Sequence, residues 1–204
     1  MRRICGIAVM LVIAGVALTG YTQTAWEAFP LGTTRMVYRI ESNESPEDIE
    51  RMAVELCITS HGDEHYTLEV STRQTGTVNQ LGAEAIGLIL GATSVSLGDA
   101  DDVDYSPLMA LIAQRDKLRE GQNYMLPNGT EFTEIMGVTI AGVFCLEGSY
   151  LDPTDSTRRM AVAFALSHPT FVAPRLREQE LQNGEWMTTF LLELTDYSFT
   201  ELEG

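Results

Sequence analysis

His61-Gly62-Asp63-Glu64-His65 has the H-x-x-E-H spacing that, on a helix, sets two imidazoles on one face as zinc ligands beside a glutamate general base. That chemistry needs the helix. Here Gly62-Asp63 lies between two runs of alternating apolar residues, so the pentapeptide reads as a hairpin connection and a solvated turn. Asp99, Asp101, Asp102 and Asp104 offer several carboxylates from one loop, which is what a hard cation such as calcium requires. The calcium-loop pattern fails in three places. Val103 stands at the third ligand position, Asp104 stands where the turn needs glycine, and Ala110 stands where a glutamate should close the loop. No G-x-S-x-G, G-x-G-x-x-G or G-x-x-x-x-G-K-[ST] is present, and His168 is followed by Pro169 with no nucleophile that spacing would nominate. The sequence assigns no catalytic residue, no metal ligand and no cofactor.

Cysteine is the remaining reactive type. Cys5 lies in the leader described next, which leaves Cys57 and Cys145. Neither has a C-x-x-C context or a basic neighbour that would make it reactive. In an oxidising compartment two cysteines are a natural pair, so Cys57 and Cys145 form a candidate disulfide. Closing the 88 positions between them (145 − 57) would stabilise the fold by roughly 4–5 kcal/mol in the chain-entropy picture. The alternative is two separate buried thiols acting as small hydrophobes.

The first 25 residues have the layout of a secretory signal peptide. Arg2 and Arg3 form a basic start, Ile4 to Ala17 is uncharged and apolar, and no Asp or Glu precedes Glu27. Cleavage after Gly20 or after Ala25 fits equally, and an uncleaved anchor is the alternative. Leu18-Thr19-Gly20 would suit a lipidation signal, but Tyr21 occupies the position of the modified cysteine. The expected location is therefore extracytoplasmic, periplasmic or secreted, with membrane attachment only through an uncleaved N-terminal segment. The chain carries a net charge of −16; losing Arg2 and Arg3 with the leader takes it to −18. Such a surface repels phosphate backbones and anionic head groups, which excludes nucleic acid as an expected partner.

The elements that must position these residues are written mostly in a period of two. Met36, Tyr38 and Ile40 alternate along residues 34–41. In residues 50–60, Met52, Val54, Leu56 and Ile58 alternate strictly, although Ser45-Pro46 ahead of them is a helix-start signal; the alternation predicts a strand. Residues 66–72 continue as a strand. Pro127-Asn128-Gly129 is a turn between strand-like residues 124–126 and 130–135. From Gly137 to Phe199 the pattern dominates: Val138, Ile140, Phe144 and Leu146, then Met160, Val162, Phe164 and Leu166, then Trp186, Thr188, Phe190, Leu192 and Leu194 after an Asn183-Gly184 turn. The loops of this half are expected at 149–157 and 167–174. Leu81 to Leu97 fits either a buried helix or glycine-relaxed strands, and Leu108 to Arg119 has helical spacing behind Pro107.

The expectation is a single, mainly β domain over residues 26–204: an antiparallel sheet, curved or half-barrel, with one or two helices inserted around 82–120. Three classes of function fit it. The first is a non-enzymatic binding domain that carries an apolar small molecule. The second is an envelope structural or protein-interaction domain with a core filled by its own side chains. The third is a metal-dependent hydrolase.

Overall fold

The computed structural model describes residues 29–45, 48–63, 65–75, 110–111, 115–166, 168–170 and 173–201. Its strands are β1 (Gly32–Ser45), β2 (Asp48–Gly62), β3 (His65–Thr75), β4 (Tyr124–Met125), β5 (Glu131–Ile140), β6 (Val143–Leu151), β7 (Arg158–Ala165), β8 (Arg175–Gln182) and β9 (Glu185–Glu201). They form one open sheet in the order β3-β2-β1-β9-β8-β7-β6-β5-β4, with antiparallel pairing throughout. The mainly antiparallel β expectation holds. Neighbours in the sheet are neighbours in the chain, except where β9 returns to pair with β1.

The hairpins form where residues tolerate the left-handed backbone. Asn183 and Gly184 sit at φ 53° and 84°, as the Asn-Gly dipeptide requires for a two-residue turn. A second such turn, Ala141-Gly142 at φ 48° and 80°, divides what the alternation presented as one continuous strand. The division changes which residues share a face. Val138 lies opposite Cys145 and Ile140 opposite Val143, whereas Leu146 and Phe144 lie opposite Gly137 and Thr139. A turn reverses the chain and resets the parity, so period-two counting across it fails.

Three other expectations need correction. β6 runs on to Leu151, so the expected 149–157 loop shrinks, because Ser149, Tyr150 and Leu151 pair with Ala161, Met160 and Arg159. β8, with four charged residues in RLREQELQ, was not expected as a strand; its flanking partners β7 and β9 recruit it into the sheet. Of the expected helical region 82–120, only Ala110, Leu111 and the 3-10 turn Arg115–Lys117 are helical among the described residues, and Leu81 to Leu97 lies outside them. Tertiary pairing wins near its end: Gly121, at φ 72°, donates its N–H to the Ile135 carbonyl at 2.9 Å and draws the chain alongside β5, and Leu118 is buried.

Two buried clusters hold the sheet. One joins Met36, Tyr38 and Ile40 of β1, Val54, Leu56 and Ile58 of β2, and Leu192 and Leu194 of β9 to Ile140, Val143, Cys145 and Ala163. The other joins Leu118, Leu126, Phe132 and Ile135 to Leu146, Tyr150, Met160, Val162 and Phe164. In β7 every residue from Met160 to Phe164 is buried, so both faces of the sheet are covered there. The second cluster depends on a close approach at Gly148, which faces Phe132. A Cβ there would lie 2.7 Å from Phe132 Cζ and 2.9 Å from Ile135 Cγ1. Phe132 is itself fully buried and packs edge-to-face on Phe164 at 6.1 Å. Overpacking of this kind forces neighbours off their rotamers. Gly148→Ala should therefore lower stability by about 1–3 kcal/mol, read as a lower urea midpoint at unchanged slope. An unchanged midpoint would mean that Phe132 moves aside at no cost.

Candidate functional site

A set of charged side chains lines up on one face of the sheet. Register places Glu147, Ala163, Arg175, Glu193, Arg39, Ala53 and Arg73 successively opposite one another across β6, β7, β8, β9, β1, β2 and β3. Side chains directly opposite in a ladder point to the same face, so this is one row. Alanine at 163 leaves the space over β7 open. Through it Arg175 reaches two strands, roughly 10 Å, to contact Glu147 at 3.2 Å. Its Nη2 lies 2.7 Å from Glu193 on the other side. Glu193 is shared with Arg39 at 2.6 Å, and Arg39 and Arg51 both contact Glu41, at 3.7 and 3.1 Å. Arg177, one step along β8, donates to the second Glu147 oxygen at 2.7 Å.

From Glu147 to Arg39 the row alternates in sign, so each of these carboxylates is flanked by guanidinium groups. Glu147 is 7 % exposed and sits between Arg175 and Arg177. A charge this far from water is tolerated only with its partners in place. Beside the row, Arg35 grips Glu55 with two parallel bonds, 2.6 and 3.1 Å, and also donates to Asp196. Arg159 pairs with Glu134 and lies 4.5 Å over the Trp186 ring.

The surroundings shift the carboxyl groups in opposite directions. Burial opposes the charge on Glu193, but hydrogen bonds and charges from Arg175 and Arg39 outweigh it and hold that carboxyl below its ordinary range. The Arg35 hydrogen bond does the same for Glu55. Glu178 on β8 is raised, because burial dominates and the Arg158 charge only partly offsets it. The row's carboxylates are committed to their guanidinium partners. As chemistry, the arrangement braces strands.

The residues singled out in the sequence are dispersed. His61 and His65 flank the β2–β3 hairpin turn, where Gly62 and Asp63 have φ 83° and 50°. His61 Nε2 lies 2.8 Å from the Thr67 hydroxyl, and His65 Nδ1 lies 2.7 Å from the Asp63 carbonyl. Glu64 and the loop from Asp99 to Asp104 lie outside the described residues. Among the described residues no group of three His, Cys, Asp or Glu side chains could hold a metal ion. His168 packs edge-on against Tyr197 at 5.2 Å.

The disulfide expected from the cysteine count is not formed: Cys57 and Cys145 are free thiols. Cys57 is on β2 and Cys145 on β6, with β1, β9, β8 and β7 between them in the sheet. Cys57 donates to Glu55 and Cys145 to the Val143 carbonyl, at 3.7 and 3.4 Å.

The row itself escaped the sequence reading. Its signal was present in the charged positions of Arg35-Met36-Val37-Tyr38-Arg39 and Arg175-Leu176-Arg177, where polar residues alternate with apolar ones. Which cation meets which anion depends on register, which spacing alone does not carry.

No protein-family model matches the chain, and no curated protein matches it. Its reading rests on its own geometry.

Two outcomes are expected. Burial pushes the Cys145 thiol up to about 11, so native protein should be alkylated at Cys57 alone and at both cysteines after unfolding. Absence of free thiol in unfolded, unreduced protein would show a bond that this structure lacks. The second concerns pH. Glu193 and Glu55, lowered in the fold, contribute stability present above about 4.3 and lost as pH falls further. Glu178, raised in the fold, has the opposite sign: it costs stability at neutral pH and the cost fades on acidification. Melting temperature should rise slightly from pH 7 and then fall below about 4.3, and Glu178→Gln should abolish the rise.

Proposed function

We propose that this chain is an exported, non-enzymatic domain that works through protein contact in the cell envelope. The leader-like residues 1–25 support the export. The observation that carries the reading is the close packing around Gly148 in the second cluster. Where a carrier would keep apolar space, Phe132 and Ile135 fill it until glycine alone fits at position 148. The ionic row supports the same reading, since it links five strands, β1, β2, β6, β8 and β9, by side chains that are spent on one another.

A second reading, carriage of an apolar small molecule, is favoured by one observation. Phe144 and Leu166 lie side by side and remain 46 % and 43 % exposed. Native mass spectrometry of the mature protein exported by its own host separates the two. The interaction reading expects the mass of the chain alone, with chloroform extracts free of lipid. A stoichiometric apolar adduct would overturn it in favour of carriage.

A further inference from the structure

The two edges of the sheet differ sharply. β4 ends one side with two residues, Tyr124 and Met125. β3 ends the other with eleven, and among the described residues it pairs with β2 alone. From Tyr66 to Thr75 its register against β2 is unbroken, the one irregularity falling at Ser60/Gly62 beside the turn. Natural edges are usually blunted by proline, lysine, a bulge or an inward charge. β3 has no proline and no lysine, and its bulge lies at the extreme end. The backbone N–H and C=O groups on its outer side form a template for another strand.

The side chains say which strand. Glu69, Ser71 and Arg73 are exposed and share the polar face. Their spacing is self-complementary. If two copies of β3 run antiparallel with Ser71 opposite Ser71, Glu69 of each copy falls opposite Arg73 of the other. Val70 then falls opposite Thr72, and Thr67 opposite Thr75. Shifting the centre to residue 69 or 73 would set like charges opposite each other, which is unfavourable. Centring on Ser71 is the register that sets Glu69 opposite Arg73, and a two-fold axis gives that ion pair twice.

We infer that the exposed β3 edge is a self-association surface, joining two copies of this chain through antiparallel β3–β3 pairing centred on Ser71. This deepens the protein-contact reading above and rests on it. Nine residues of strand per copy make a small interface, at the low end for specific complexes, so the dimer is reversible and concentration-dependent. The opposing net charge of the two copies is screened beyond about 8 Å at physiological salt, whereas the facing Glu69–Arg73 pairs are in contact.

The test is sedimentation equilibrium of the full mature chain at physiological salt. Wild type should pass from monomer to dimer as concentration rises. Glu69→Arg and Arg73→Glu should each weaken the dimer at least tenfold, because each sets two like-charge pairs across the axis. The double variant, Glu69→Arg with Arg73→Glu, should restore the wild-type constant to within about twofold. Both positions are exposed, and far-ultraviolet circular dichroism on the same samples verifies that each variant is folded. Wild type that stays monomeric to millimolar concentration would overturn the proposal, as would a dimer indifferent to both single reversals. A lipid adduct in the mass measurement would defeat the interaction reading without altering this constant, so the two failures are distinguishable.

Discussion

Register is the constraint on which the rest of this protein depends. In one sheet of nine antiparallel strands, the pairing decides which side chains share a face, and a shift of one residue would exchange the faces. Here the pairing aligns Glu147, Arg175, Glu193 and Arg39 into a row of alternating charge on one face. It aligns Tyr38, Leu194 and Val54, and Ile40, Leu192 and Leu176, on the other. A slipped β8 would bring Arg175 among the apolar side chains and strand Glu147 without its cation. Ionic pairs of this sort add little net stability by themselves, but breaking one leaves a costly unpaired charge. Their effect is on the choice among registers more than on the depth of the native minimum.

The row is possible because of small residues on β7. Ala161, Ala163 and Ala165 alternate with Met160, Val162 and Phe164, and the larger set fills the second cluster. The alanine at 163 lets a long arginine cross the strand and reach the carboxylate beyond it. Glycine at 148 does the corresponding thing on the other face, where it admits the Phe132 ring. Both are cases of a residue whose value lies in the atoms it lacks. Side chains that occupy the neighbouring space are thereby fixed in one arrangement.

The strands themselves were largely legible. β1, β2, β3 and β7 follow strict alternation, and the Asn183-Gly184 and Pro127-Asn128-Gly129 turns fall where the dipeptide chemistry places them. In β9 the expected alternation fails: a bulge opposite Glu178 and Gln179 sets Trp186 and Thr188 on the other face from Phe190, Leu192 and Leu194. The competing helix signal at Ser45-Pro46 lost to the alternation of Met52, Val54, Leu56 and Ile58, because those four side chains have a cluster to enter. The Ala141-Gly142 turn was hidden because alanine carries no turn signal and the apolar residues on either side continue the period by coincidence. β8 was hidden because a central strand rich in charge contradicts composition-based expectation; its arginines are acceptable only beside Glu147 and Glu193.

By itself the sequence determined the local matters: period-two strands, most turns, the acidic surface and the leader-like start. Each depends on neighbours a few residues apart, so each is written in the order of residues. Tertiary structure alone decided the pairing of β9 with β1, the ionic row, the separation of Cys57 from Cys145 and the place of β3 at one end of the strand order among the described residues. These depend on which distant strands lie side by side. That is settled by the combined burial of both faces, a sum over the whole sheet that no single stretch of chain contains.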